Sequence, residues 1–267
     1  MAWLRERIVL ILGLLVLVYT FVPIAVVVGM SFNVPPSRNV YAFDRFTLDN
    51  WANPCLDPSM CSALGRSVEI GLLATLGATV LGTLAAFALV RYDFVGRSST
   101  NLLIFLPMAA PEIVMGSSLL ALFVAAGFAG QLGFWTILIA HIMFCLSFVV
   151  VTVRARLAGM DDTLEQAAMD LYATPAQTFW RVTFPLVFPG ILGAALLSFS
   201  LSFDDFIITN LNAGNTTTFP MYVYGVEGKG VPMQVNVIGT VMFVVSIVIV
   251  VGGELNNRRR QKALAAA

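Results

Sequence analysis

Six apolar stretches, each about twenty residues long and so able to cross the hydrocarbon of a bilayer as a helix, set the terms for this chain. They run over roughly 8–30, 67–90, 101–125, 134–153, 186–208 and 235–254. A backbone in lipid must satisfy its own hydrogen bonds, so the pattern predicts an all-α membrane protein: six transmembrane helices in a single domain spanning 1–267. Composition agrees, since 58% of the residues are hydrophobic and 11% charged, too apolar for an ordinary soluble surface. A formal net charge of zero supplies no basic footprint for nucleic acid.

The information in the charges lies in their placement. An even number of spans puts both ends on one side, and the tails and loops of that side hold Arg5, Arg7, Arg91, Arg97, Arg154, Arg156, Arg181, Arg258, Arg259, Arg260 and Lys262. The other side holds Arg38, Arg45, Arg66 and Lys229. This bias predicts cytoplasmic termini. Arg5 and Arg7 ahead of an apolar run resemble a secretory signal, but the run is too long and lacks a small-x-small cleavage site near its end, so it is expected to stay as the first helix.

The external loop 31–66 is rich in aromatics (Phe32, Tyr41, Phe43, Phe46, Trp51) and is expected to fold rather than trail. Cys55 and Cys61 in it fit either a local disulfide or two free thiols; Cys145 reads as a small packing residue. In the second segment Ala74, Ala78, Gly82 and Ala86 recur every fourth residue, a face on which another helix can approach closely. Pro107 and Pro111 are expected to break or kink the third segment, beside Glu112 near mid-membrane. Glu112 reads as a pathway or gate residue, or as one partner of a helix–helix hydrogen bond. His141, the single histidine, reads as an interior hydrogen-bonded side chain and cannot by itself build a metal site. Asp204 and Asp205 point about 100° apart on a helix, so both are expected to face protein or water. They line a negative vestibule for cations, or they pair with Lys229 or Arg66. Beyond them 210–235 reads as an external loop, and the final alanines as a disordered end.

One polar interval, 160–185, interrupts the series on the cytoplasmic side. Leu164, Ala167, Ala168 and Leu171 fall on one face of a short helix, with Glu165, Gln166, Met169 and Asp170 on the other. Thr163 with Gln166, or Asp162 with Glu165, forms a capping box at its start. Thr174, Pro175 and Gln177 mark the start of a second helix. The chain has no P-loop: its only Gly-Lys pair, Gly228-Lys229, faces outside and is followed by Gly230. It also has no nucleophile with a base partner, so neither ATP hydrolysis nor other catalysis is expected of it, and no cofactor is called for.

Gln166-Ala167-Ala168, Tyr172 and Phe184-Pro185 resemble the EAA loop of ABC importer permeases, with Gln166 in place of the usual Glu and Tyr172 in place of the usual Gly. The stretches LVRYDFVGR, LPMAAPEIVMG, LEQAAMDLYATPAQTFWRVTFPLVFPGI and LSFSLSFDDFIITN are similar, in that order, to the PotC-type permeases of spermidine/putrescine importers, which have the MetI-like six-helix fold. The resemblance implies a second six-helix permease, two copies of an ABC ATPase and an external substrate-binding protein as partners, in a bacterial inner membrane. It implies that the helix bearing Thr163, Leu164, Glu165, Gln166, Ala167, Ala168, Leu171 and Tyr172 docks on the ATPase. It also fits a polycation pathway lined by Glu112, Asp204 and Asp205. The departure at Tyr172 puts the turn after that helix in question, because tyrosine adopts a left-handed conformation poorly. An ion-driven secondary transporter would account for the same carboxylates, but the internal repeat common in that class is not found. A membrane anchor without transport would leave the carboxylates without a purpose.

Overall fold

The computed structural model describes residues 2–37 and 40–265, and side chains over 7–253 within them. Arg38 and the side chains of Arg5, Arg258, Arg259, Arg260 and Lys262, counted in the charge bias, lie outside the described ones. The chain forms two compact units, Met1–Pro58 with Val223–Ala267, and Ser59–Tyr222.

In the first unit α1 (Ala2–Ser31) pairs with α12 (Met233–Ala265). Phe21 meets Phe243 edge to face at 6.3 Å, and Gly239 lets Val27 approach. Most of α1 is apolar around its whole circumference and exposed, which suits a helix surrounded by lipid. The loop after it is folded, as the aromatics predict. Asn33 and Phe46 pair in a small hairpin, β1 (Asn33–Val34) with β2 (Arg45–Phe46), followed by α2 (Asp49–Ala52). Phe32 stacks on Phe46 and Trp51, and the Asn50 amide donates to the carbonyls of Ser31 and Asn33. Cys55 and Cys61 are disulfide-bonded, and Cys145 is a buried free thiol.

The second unit is built on α6 (Phe134–Ala158), whose buried face runs from Ile137 to Leu157. Around it lie α3 (Pro58–Arg91), α4 (Arg97–Ala109), α5 (Glu112–Ala125), α9 (Phe184–Asp204) and α10 (Ile207–Asn212). Between α6 and α9 come α7 (Thr163–Asp170), α8 (Pro175–Thr178) and a π-helical turn, Phe179–Thr183. The small face of α3 is buried, and its neighbour belongs to this chain: a Cβ on Gly82 would lie 2.7 Å from a methyl of Val149 in α6. Any larger residue there would push the two helices apart.

Several boundaries differ from the expected ones. The second helix begins at Pro58, nine residues before the apolar run, because proline suits the first helical position and lacks the N–H left unpaired there. The third segment is two helices meeting at 111°, broken at Ala110–Pro111. Among the described residues five helices are thus long and apolar enough to cross a membrane, or six with the bent pair as one span. The fifth segment does not continue to 208; it stops at Asp204 and restarts as α10. The interval 210–235 is no plain loop, since it holds α11 (Phe219–Glu227), whose first amide donates to the Ser67 hydroxyl. The last helix runs on to Ala265, so Ala263 and Ala265 of the expected disordered end are helical; Ala266 and Ala267 lie outside the described residues.

Candidate functional site

The polar interval is organised by its caps. Neither expected capping box starts α7. The Asp161 carboxylate accepts from the Thr163 amide at 2.9 Å, and that bond holds its carboxyl below the usual range. Glu165 is committed elsewhere and cannot reach back. In α8 the expected box does form: the Thr174 hydroxyl accepts from the Gln177 amide, and the Gln177 side chain accepts from the Thr174 amide.

Helix α7 ends in a left-handed turn at Tyr172, with φ at 63°, the one non-glycine residue of positive φ among those described. The Tyr172 amide donates to the Met169 carbonyl at 2.9 Å, and the Ala173 amide to the Ala168 carbonyl at 3.1 Å. These are the two bonds by which a glycine closes a helix. The turn therefore survives the replacement of glycine, and the tyrosine ring, 96% exposed, stands clear of the chain. No residue of α7 is buried. Its apolar stripe points outward, with Leu164 49% and Leu171 82% exposed and Ala167 open beside them. Gln166 is also exposed, and Ala168 is partly covered.

Glu165 is the residue of α7 that turns inward, its side chain 14% exposed. Two guanidinium nitrogens of Arg91, at the end of α3, donate to its two carboxylate oxygens at 2.8 and 2.5 Å. The Thr183 hydroxyl donates to one of the same oxygens at 2.6 Å. Burial pushes the Glu165 carboxyl up, but the bonds from Arg91 and Thr183 and the Arg91 charge outweigh it and hold the group below its usual range. Asp162 lies 3.9 Å from the same guanidinium. Thr183 sits in the π-helical turn just before Pro185, which has no N–H to donate to the Arg181 carbonyl and whose ring crowds it. The backbone there takes the wider register, with Phe184 donating to Phe179.

The three carboxylates Glu112, Asp204 and Asp205 come from different elements. Glu112 opens α5 and is exposed, Asp204 ends α9 and is exposed, and Glu112 lies within electrostatic reach of both aspartates. Close packing of α5 on α10 brings them together: a Cβ on Gly116 would lie 3.2 Å from the Ile208 Cα, and the Asn212 amide donates to the Gly116 carbonyl. Asp205 differs from its neighbour. Its side chain is 3% exposed and caps α10, accepting from the Thr209 amide and hydroxyl, both at 2.8 Å. The His141 imidazole lies 3.3 Å from it and also bonds Ser202 at 2.7 Å and Thr209 at 2.9 Å. Asp205 thus meets His141 and a helix start rather than Arg66, which is paired with Glu69.

Residues 78–257 match the family described as the inner membrane component of binding-protein-dependent transport systems. The chain belongs to this family. It is 35% identical over 242 residues to the spermidine/putrescine transport system permease protein PotC of Haemophilus influenzae, covering 90% of this chain and 93% of that one. Identity to Escherichia coli K12 PotC is 36% over 245 residues, 91% of each. The putrescine transport system permease protein PotI of E. coli K12 is 36% identical over 241 residues, covering 88% of this chain and 84% of that one. A bacterial ABC transporter involved in import of the acidic polysaccharide alginate shares the fold, with TM-score 0.66 and 17% identity over 93% of this chain and 97% of that one. The chain is thus a membrane-spanning permease subunit of an ABC importer, not an enzyme, and such systems comprise a further permease, an ATPase and a binding protein.

In this permease two residues of the polar cluster, Arg91 and Thr183, were not legible as partners of Glu165. They lie 74 and 18 positions away, and nothing local in the sequence marks the pairing. The cap at Asp205 did leave a signal, an aspartate three residues before Ile208, because aspartate is among the favoured helix-capping residues.

Proposed function

We propose that this permease imports polyamines, spermidine and putrescine, and forms half of the pathway with a second six-helix permease. Two copies of an ATPase bind on the side of α7, a binding protein delivers substrate from outside, and both termini are cytoplasmic. The observation that carries the substrate reading is the electrostatic convergence of Glu112 with Asp204 and Asp205. A flexible polycation needs fixed negative charge along its route, and carboxylates at membrane depth are too costly to keep without a task. Glu112 and Asp204 offer exposed oxygens to ammonium groups. Asp205 adds charge from within the wall while it holds the break between α9 and α10. The names of the relatives point to the same substrates.

Docking rests on the outward stripe of α7. Leu164, Ala167, Leu171 and Tyr172 form an apolar strip on a polar loop, the pattern by which an amphipathic helix enters a groove. Uptake of radiolabelled spermidine and putrescine by the complete importer, in cells lacking other polyamine uptake, tests the substrate reading. Glu112→Gln and Asp204→Asn should each raise the KM about tenfold, the effect of removing one charge-assisted hydrogen bond to an ammonium group. Unchanged kinetics in both variants would return the two carboxylates to structure. Transport of another organic cation and of neither polyamine would end the polyamine reading and leave the importer class intact.

A further inference from the structure

The inward turn of Glu165 separates two tasks within α7. Because α7 has no buried residue, apolar packing does not fasten it to the membrane helices. Behind it lies an open cleft of about 390 Å³, walled by Leu84, Phe87, Met169, Pro175 and Phe179. Across that cleft the Glu165 carboxylate is bonded at once to the last residue of α3 and to the π-helical turn at the root of α9. A bidentate guanidinium–carboxylate pair resists rotation as well as separation, which a single point contact does not. The π turn beside it is a widened register, the kind of local defect at which helices yield.

We propose that Glu165, Arg91 and Thr183 form the joint through which displacement of α7 is passed to α3 and α9. Glu165 is then a positioning residue that faces its own chain and does not touch the ATPase. The inference rests on the docking reading above and goes beyond it, because docking alone requires only the outward stripe. Force arriving on Leu164 and Leu171 would swing an unfastened helix into the cleft; with the joint closed, the same force moves two membrane helices together. Thr183 links the joint to α9 across the π turn, and Arg91 links it to α3.

The test uses the complete importer, purified and reconstituted, with ATP hydrolysis, substrate uptake and co-purification of the ATPase measured on the same preparations. Glu165→Gln should keep the ATPase bound and hydrolysis within about twofold, while uptake per ATP falls roughly tenfold, the size expected from losing a charge-assisted bidentate bond. Thr183→Val, which removes one hydroxyl, should lower the same ratio about threefold. The exchanged pair Arg91→Glu with Glu165→Arg should recover uptake per ATP relative to Glu165→Gln. If the exchanged pair does not assemble, Arg91→Lys replaces it: one ammonium keeps the charge but gives up the bidentate grip, and uptake per ATP should fall between that of the unaltered permease and that of Glu165→Gln. A merely structural role would lower assembly, hydrolysis and uptake in parallel. An unchanged ratio in both Glu165→Gln and Thr183→Val, with the ATPase bound, overturns the joint and spares docking. Failure of the unaltered permease to hold the ATPase, or an ATPase contact mapped onto Glu165, overturns it from the side of the docking reading.

Discussion

Tyr172 shows how one residue can violate a local preference while the structure keeps the feature that the preference serves. A left-handed non-glycine residue costs on the order of 1–2 kcal/mol, and the two helix-closing bonds at Tyr172 and Ala173 hold it there. Tyr172→Gly should therefore stabilise the α7 segment by about 1 kcal/mol, seen as slower amide exchange across 163–173. The same substitution removes an exposed ring from the docking strip, so weaker ATPase retention alongside a firmer helix is the expected pair of results. At Glu165 the sign of the pH response follows from its lowered acidity. The carboxylate is ionised and the joint closed above the ordinary carboxylate range, and this contribution is lost as pH falls through the lowered native value. Arg91 and Asp162 face the same carboxylate, and the Asp161 cap, whose carboxyl is also held below its usual range, is lost on acidification as well. Amide exchange in α7 should accelerate on acidification. Glu165→Gln should show the faster exchange already at neutral pH, with a smaller acid step left to Asp161.

At the scale of elements, α7 was legible and its attachment was not. Four apolar residues at helical spacing specify a face without reference to the rest of the chain, and that face is the one left open. The pairing of Glu165 with Arg91 and the partners of His141 depend on how helices 60 or more positions apart come together, and a single sequence carries no local trace of that. Breaks were legible where proline enforces them, as at Ala110–Pro111. The break at Asp205 was harder to see, because an apolar run continues through it and only the capping aspartate argues against a continuous helix. The docking strip makes its own prediction. Ala167→Arg places a long cation in the middle of the strip, and should leave membrane insertion unchanged while uptake falls at least tenfold, as for a charge forced into an apolar groove. Normal uptake in this variant would remove α7 from the ATPase interface.

Over the whole molecule, apolar length and charge placement were enough to reach a membrane permease, and the family match over 78–257 covers most of what they described. The first helix lies outside that match; its apolar exposure is what carries it as a span. Less legible was the number of spans, because a bent pair of short helices and a single kinked helix share one sequence pattern. The bend between α4 and α5 has a consequence for the life of the protein in the cell. Around it Phe105, Leu106, Ile113 and Val114 are exposed, and so is Glu112 at the start of α5. Lipid can cover the four apolar side chains, but it has nothing to offer a carboxylate or the opened backbone at a helix break. A permease made without its companion subunit would present that region to bare hydrocarbon and should be cleared by membrane proteases within a generation, whereas co-synthesis should make it long-lived. Pulse–chase labelling would read the difference directly: the bend makes this polypeptide an orphan until it is paired.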